Sequence, residues 1–198
     1  MKVINLTTNS DIYTSNAYFI LGDWKGIDDV NAMIDVGRDP LIIDKIKKLD
    51  TGVGKKKLEK VVLTHNHFDH VSLLPIIRDE FAPVVYAFHQ FDGVNHILKD
   101  GQVLKLGDKW FEVIHTPGHT NDSICLYSPD ESVIFSGDTS LIINTTDGSY
   151  HEPFIRAFEK IVRKNITLIY PGHGQPINNN GKRLLYTSLD NIRKSRII

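Results

Sequence analysis

Residues 61–70 read Val-Val-Leu-Thr-His-Asn-His-Phe-Asp-His, so three histidines and an aspartate crowd into six positions directly behind an apolar run. Packing alone gives a buried strand no reason to end in imidazoles. Imidazole nitrogen and carboxylate oxygen are, however, the donor set that suits zinc, iron or manganese. His65 and His67 share one side of an extended segment, because side chains alternate along it with period two. Asp69 and His70 fall on the turn beyond, where they reach a second ion. The expectation is a two-metal hydrolytic site. A single histidine here would read as a capping or surface residue; the cluster reverses that.

The other elements are read from periodicity. Alternating or β-branched runs at 2–7, 16–21 and 32–37 predict three strands. Asp35 ends the third; its favoured reading is a turn aspartate accepting backbone N–H groups, and the alternative is a support for metal ligands. Apolar residues at helical spacing follow Asp39-Pro40, with the proline in the first turn. Six lysines then surround Thr51-Gly52-Val53-Gly54, which lacks the spacing of a phosphate-binding loop and reads as a solvated face. After the histidine cluster, Leu73, Leu74, Ile76, Ile77 and Phe81 form a helical face, with Ser72 as its expected N-cap. Residues 83–87 make a strand; His89 and His96, near its end, have no partner at ligand spacing. A hairpin turning at Gly107-Asp108 leads to His115 and then to Pro117-Gly118-His119. His119 is presented by the loop, whereas His115 is still on the strand. Strands at 123–127 and 133–135 follow, with Cys125 packed as a small hydrophobe and Asp138 set at a strand end by Gly137. A polar loop at 144–152, a helix opening at Pro153, a strand at 166–170 ending in Pro171-Gly172-His173, and a helix over 184–192 complete the chain. Two runs of strands, each followed by helices, predict an α/β fold with two facing sheets and helices outside, a four-layer αββα sandwich.

At 198 residues the chain is the size of one domain, spanning 1–198, and its 41% apolar residues support a real core. The net charge of −1 argues against a broad polyanion-binding surface. One cysteine excludes an intramolecular disulfide and fits a reducing compartment. No apolar run has the length of a signal peptide or a bilayer span, so the expectation is a cytoplasmic protein without membrane contact. The oligomeric state is left open.

Four strand ends thus deliver His65, His67, Asp69 and His70, then His119, then Asp138, then His173. The ordered motifs T-H-x-H-x-D-H, P-G-H-T, S-G-D-T and P-G-H-G resemble those of the metallo-β-lactamase superfamily, and within it the glyoxalase II-like hydrolases. The resemblance runs from about Asn16 to Pro176. It implies the αββα sandwich. It also implies that His65, His67 and His119 hold a first metal, that Asp69, His70 and His173 hold a second, and that Asp138 bridges both, with Asp69 and Asp138 as the catalytic carboxylates. The cofactors implied are two divalent ions, zinc first, with iron or manganese as alternatives. Two cations sharing a water lower its pKa and leave hydroxide as the nucleophile.

The expected activity is hydrolysis of a small ester, thioester or lactone. An aspartate at 138 argues against penicillin cleavage, and histidine at 67 separates the chain from the flavodiiron proteins. Glyoxalase II enzymes bind glutathione through a long helical region behind their last histidine. Only 25 residues follow His173 here, so a glutathione thioester is not the expected substrate. The loop 144–152 lacks a Gly-x-Gly-Arg-x-Asp pattern, and Tyr150 or His151 is a candidate for substrate contact. Two alternatives stand beside hydrolysis. One is a persulfide dioxygenase with one iron on His65, His119 and Asp138. The other is an RNA- or DNA-processing metallonuclease, supported only by the lysines at 55–57. The expected partner is a small molecule rather than a nucleic acid.

Overall fold

The computed structural model describes residues 1–178 and 181–198. Its strands build two sheets of six. The first runs β1 (Lys2–Asn5), β2 (Tyr18–Leu21), β3 (Ala32–Ile34), β4 (Lys60–Val62), β5 (Val84–Ala87) and β6 (His96–Ile97) in spatial order. The second holds β7 (Val103–Leu106), β8 (Lys109–His115), β9 (Ile124–Ser128), β10 (Val133–Gly137), β12 (Leu168–Pro171) and β13 (Ile177–Asn178), with β12 lying between β10 and β13. Two short strands, β11 (Ser149–Tyr150) and β14 (Arg196–Ile197), pair in parallel apart from both sheets. The helices are α1 (Leu41–Lys48), α2 (Phe68–Val71), α3 (Leu74–Phe81), α4 (Glu152–Val162) and α5 (Gly181–Lys194).

Central strands are apolar on both faces because each face meets a different layer. Tyr18, Ile20, Ile34 and Val62 point between the sheets and meet Phe111, Leu126 and Phe135 from the other side. Their neighbours Phe19, Leu21, Met33 and Val61 face outwards, onto Ile42 and Ile46 of α1 and Ile77 of α3. On the second sheet Cys125, Ile134 and Ile169 face Phe158 and Ile161 of α4 and Leu185 and Leu189 of α5. The result is helix, sheet, sheet, helix, the αββα sandwich expected from the sequence.

Strand direction places the loops. β3 and β4 are parallel, joined through α1, and β10 and β12 are parallel, joined through α4. β8 is antiparallel to β9, and β9 to β10, so β8 runs with β10. The chain therefore leaves each sheet's motif-bearing strands at one end. The two sheets are stitched together there. The Thr64 carbonyl accepts the Ile124 N–H at 2.9 Å, and the Gly172 carbonyl accepts the Asn16 N–H at 2.7 Å. The Tyr18 hydroxyl donates to the Pro171 carbonyl at 2.8 Å.

Two local expectations are corrected. A one-turn helix, α2, starts at Phe68 inside the histidine cluster, so Ser72 is its C-cap rather than the N-cap of the next helix. The Ser72 hydroxyl donates back to the Phe68 carbonyl, and α3 begins after Leu73 with no side-chain cap. The loop 144–152 contains β11, whose partner lies near residue 196, beyond the reach of a local sequence pattern. Among the described residues no helix is long and apolar enough to cross a membrane.

Phe135 is wholly buried between the sheets, with ring centroids of Tyr170 at 4.6 Å and Tyr18 at 5.3 Å. Phe135→Ala should lower unfolding free energy by about 3–5 kcal/mol. Urea denaturation followed by far-UV circular dichroism measures this, and a loss below about 1 kcal/mol would mean that the sheets do not pack through this ring.

Candidate metal centre

The centre is built outwards from Asp35. This residue follows β3 with a left-handed φ of 55° and is only 2% exposed. Its carboxylate accepts the Thr64 N–H at 2.7 Å and the Thr64 hydroxyl at 2.8 Å, and Nδ1 of His70 lies 2.8 Å from its second oxygen. Both readings of Asp35 therefore hold: it accepts a backbone N–H at a turn, and it orients a member of the cluster. Donation from Nδ1–H sets the His70 tautomer and turns Nε2 inwards. The Asn66 N–H donates to Asp122 at 3.0 Å, which anchors the span between His65 and His67. Because α2 starts immediately after His67, Asp69 and His70 emerge from its first turn.

The remaining groups come from the second sheet. Gly137, at φ 50°, closes β10 directly against Thr64; a Cβ there would lie 2.6 Å from Thr64 Oγ1. Asp138 follows. Gly172 after β12 is glycine for reasons of space, since its Cβ would lie 2.1 Å from Asp138 Oδ1. His173 comes next. His119 sits on a loop closed by the Gly118 N–H on the Thr120 carbonyl at 3.1 Å and by His115 Nε2, which is 2.8 Å from the Asn121 carbonyl. His115 also stacks on Phe88 at 3.9 Å, so it shapes this loop and stays outside the cluster. His96 stacks on Tyr86 and His89 packs beside Phe88, both away from the centre, as expected.

All seven residues singled out in the sequence converge in two groups. His65, His67, His119 and Asp138 offer donor atoms within 4.8 Å of one another, and so do Asp69, His70 and His173. Asp138 faces both groups. Its Oδ1 is 3.2 Å from His70 Nε2, and its Oδ2 is 3.5 Å from both His119 Nε2 and His173 Nε2. His67 Nδ1 and His119 Nε2 are 3.0 Å apart, near the roughly 3.4 Å edge of a tetrahedron with zinc–nitrogen bonds of about 2.1 Å.

These donors fit metal ions. The buried atoms His65 Nε2, His70 Nε2, His173 Nε2 and Asp138 Oδ1 have no hydrogen-bond partner among the described residues. Leaving such atoms unsatisfied is costly, on the order of 1–3 kcal/mol each. They approach one another without the alignment of a hydrogen bond, as donors aimed at a common centre do. The centre is also open on one side: His67 and His119 are exposed, whereas His65, Asp69 and His70 are buried. Structural zinc sites are closed, and an open position is the mark of a reactive one.

Charge is distributed unevenly in the metal-free cluster. Burial, then the nearby His70, pushes His65 down to about 4, so its ring is neutral at physiological pH. Burial would also lower His70, but Asp35 and Asp138 outweigh it and raise the ring to about 10. Burial would raise Asp138; His173 and His70 outweigh that and hold its carboxyl far below the usual range. Burial lowers His119, and the Asp138 carboxylate raises His173.

Tyr13 went unremarked in the sequence. It lies 64% exposed on the loop before β2, with its ring stacked on His173 at 5.4 Å and on Phe68 at 6.4 Å. The Arg38 guanidinium covers Phe68 at 4.9 Å. No local signal marks Tyr13, because the stack joins three distant segments. A cavity of about 320 Å³ opens on His119, Asp138 and His173. A second, of about 210 Å³, shares His119 and Ser140 with it and is walled by Tyr150, His151 and Phe154. The two side chains proposed from the 144–152 loop thus border a cavity beside the centre.

The fold has known counterparts. The family model described as the metallo-beta-lactamase superfamily matches residues 11–94 and 90–173. A probable hydroxyacylglutathione hydrolase of Schizosaccharomyces pombe is 34% identical over 143 residues, covering 68% of this chain and 53% of that protein. An atrochrysone carboxyl ACP thioesterase of Aspergillus fumigatus is 33% identical over 130 residues, covering 63% of this chain and 41% of that protein. The chain spans about half the length of the curated relatives it matches. Among solved structures, ETHE1 from Myxococcus xanthus superposes with a TM-score of 0.70 at 21% identity, over 97% of this chain and 88% of that one.

Two outcomes follow from the geometry. His70 carries an extra proton in the metal-free protein at pH 7.5, and a cation must displace it. Apparent metal affinity should therefore rise with pH until about 10, and calorimetry in buffers of different ionisation enthalpy should show at least one proton released per chain. The sign for stability is opposite. The protonated ring stabilises the metal-free fold fully below pH 6.5, and that contribution fades as pH climbs through about 10. Asp35→Asn should weaken metal binding about 10–100-fold, as the loss of an orienting partner does elsewhere. Unchanged affinity in a chelator competition would remove Asp35 from this role.

Proposed function

The chain belongs to the metallo-beta-lactamase superfamily, and from that premise we propose that it is a two-metal hydrolase of a small acyl ester, thioester or lactone. The observation that carries this reading is Asp138, one carboxylate whose oxygens face both donor groups at once. In the proposal His65, His67 and His119 hold one ion, Asp69, His70 and His173 hold the other, and Asp138 bridges them. Such ions, when bound, supply Lewis acidity to a carbonyl oxygen and acidify water towards neutrality. Zinc fits this imidazole-rich set, and manganese or iron fits it too.

The chain's own groups prepare that chemistry. Asp35 holds the proton of His70 on Nδ1, so that Nε2 is the atom a cation would take over, and the neutral His65 presents a lone pair without rearrangement. The exposed side of the centre, at His67 and His119, leaves room for a substrate carbonyl. Thioesters lead the proposal because the names of two similar proteins describe hydrolysis of hydroxyacylglutathione and of an acyl-carrier-protein thioester.

Two observations weigh against the other readings. A mono-iron dioxygenase using His65, His119 and Asp138 leaves the second group, Asp69, His70 and His173, without work. A nuclease reading leans on the lysines at 55–57, and two of these three are engaged elsewhere: Lys55 Nζ donates to the Gly26 carbonyl at 2.9 Å and also to the Asp29 carbonyl, and Lys57 donates to the Leu49 carbonyl.

Apo-protein reloaded with zinc, manganese or iron and screened on thioesters, lactones, phosphodiesters and persulfides tests the assignment. The expected result is thioester or lactone hydrolysis with about two ions per chain, and Asp138→Ala should lose at least one ion and nearly all turnover. One iron per chain with oxygen uptake on a persulfide would overturn it. His89→Ala and His96→Ala should leave metal content unchanged.

A further inference from the structure

Beside the metal centre lie two cavities whose linings share His119 and Ser140, taken together as one groove on the second-sheet side. Its apolar walls are Leu141, Ile142, Ile169 and Ile177 in the larger part and Tyr150 and Phe154 in the smaller. Among the described residues neither lining includes a lysine or an arginine, and the sole carboxylate is Asp138, already committed to the donor cluster. The Arg38 guanidinium is outside both linings; it lies over Phe68 and donates to the Tyr13 carbonyl at 3.1 Å.

The walls are fixed in place. The Ile143 N–H donates to Ser188 Oγ at 2.8 Å, and Asn191 donates to the Ile143 carbonyl at 2.8 Å, so α5 clamps the segment after Asp138. Tyr150 stacks on Phe154 at 5.6 Å, and β11 is pinned by its pairing with β14. Apolar surface held open next to a reactive centre gains free energy only when an apolar group covers it. A charged group drawn into it would lose water without gaining a partner.

We infer that this groove is the acyl subsite, and that it takes an uncharged, unbranched aliphatic acyl chain longer than acetyl, joined to its thiol at the metal centre. The inference rests on the thioester reading above. Hydrolysis there breaks the acyl carbon–sulfur bond and forms a carbon–oxygen bond from water, giving a carboxylate, a thiol and a proton. The carboxylate leaves with its chain still in the groove, and the thiol departs from the other flank.

The test uses the zinc-loaded full chain and N-acetylcysteamine thioesters that differ only in the acyl group. kcat/KM should rise at least tenfold from acetyl to octanoyl, and succinyl should fall at least tenfold below butyryl, which has the same chain length without the terminal charge. Ser140→Trp, at the exposed junction of the two cavities, and Ile177→Lys, in the wall, should each lower the octanoyl-to-acetyl ratio at least tenfold with metal content retained. In the metal-free chain octanamide, but not acetamide, should shift the NMR signals of residues 140–142 and 177. A flat chain-length series, succinyl turned over as well as butyryl, or an unchanged ratio in both variants would overturn the subsite. Should no thioester be turned over, the hydrolase reading itself falls, and the octanamide shifts alone decide whether the groove binds aliphatic chains.

Discussion

The carboxylate of Asp35 accepts three hydrogen bonds at the junction of β3, β4 and α2, and the geometry of the cluster depends on them. Two go to Thr64, which fixes where the chain leaves β4; one goes to His70, which fixes how α2 is turned relative to that exit. A buried carboxylate is costly without such partners. Here the same three bonds that satisfy it also set the distance between the two donor groups. That Asp35 adopts a left-handed φ, which a non-glycine residue takes at a cost of order 1 kcal/mol, shows that the position is held by its partners rather than by local preference.

The second sheet has to come very close to this junction, and two glycines let it. Gly137 allows β10 to touch Thr64, and Gly172 leaves the volume in which the Asp138 carboxylate sits. Any larger residue at either place would push Asp138 away from one donor group and leave it facing the other. The position of Asp138 between the two donor groups is thus a consequence of two missing side chains, supported by the stitches at Ile124–Thr64 and Asn16–Gly172 between the sheets. The ligands are graded accordingly. His65, Asp69 and His70, nearest the Asp35 junction, are buried, whereas His67 and His119 are exposed, and His119 lines both cavities.

Much of this was legible in the sequence because the signals were local. An apolar run breaking into His-x-His-x-Asp-His announces a strand end with donors, and Gly-Asp or Pro-Gly-His after an apolar run does the same. The two-layer core followed from strands that are apolar on both faces, as Tyr18–Leu21 are. What could not be read was set by distance in sequence or by scale. Helix α2 has four residues, too few for a 3.6-residue period to register, so Ser72 looked like a start when it is an end. The strand Ser149–Tyr150 pairs with residues near 196, and Tyr13 meets His173 across most of the chain. Pro-Gly was read as a turn, whereas at 172 the glycine serves the volume around Asp138.

The contrast between the two flanks of the centre bears on how a substrate would lie. From His173, which also lines the larger cavity, the rings of Tyr13 and Phe68 run outwards and are capped by a guanidinium; the cavity itself is walled by Leu141, Ile142, Ile169 and Ile177, with no lysine or arginine among the described residues. A thioester has two arms of different character joined at one reacting carbon. An asymmetric site binds such a molecule in one orientation, because exchanging the arms would place the polar thiol portion against Leu141 and Ile177 and leave the aliphatic chain across exposed rings and Arg38. Orientation in turn decides which oxygen faces the donors and from which side water arrives, and fixed orientation is worth several kcal/mol of barrier in well-positioned reactions, up to about 7–11 in the best cases. In the proposed reading, a groove without lysine or arginine would select the acyl group and also fix the direction in which the bond is presented.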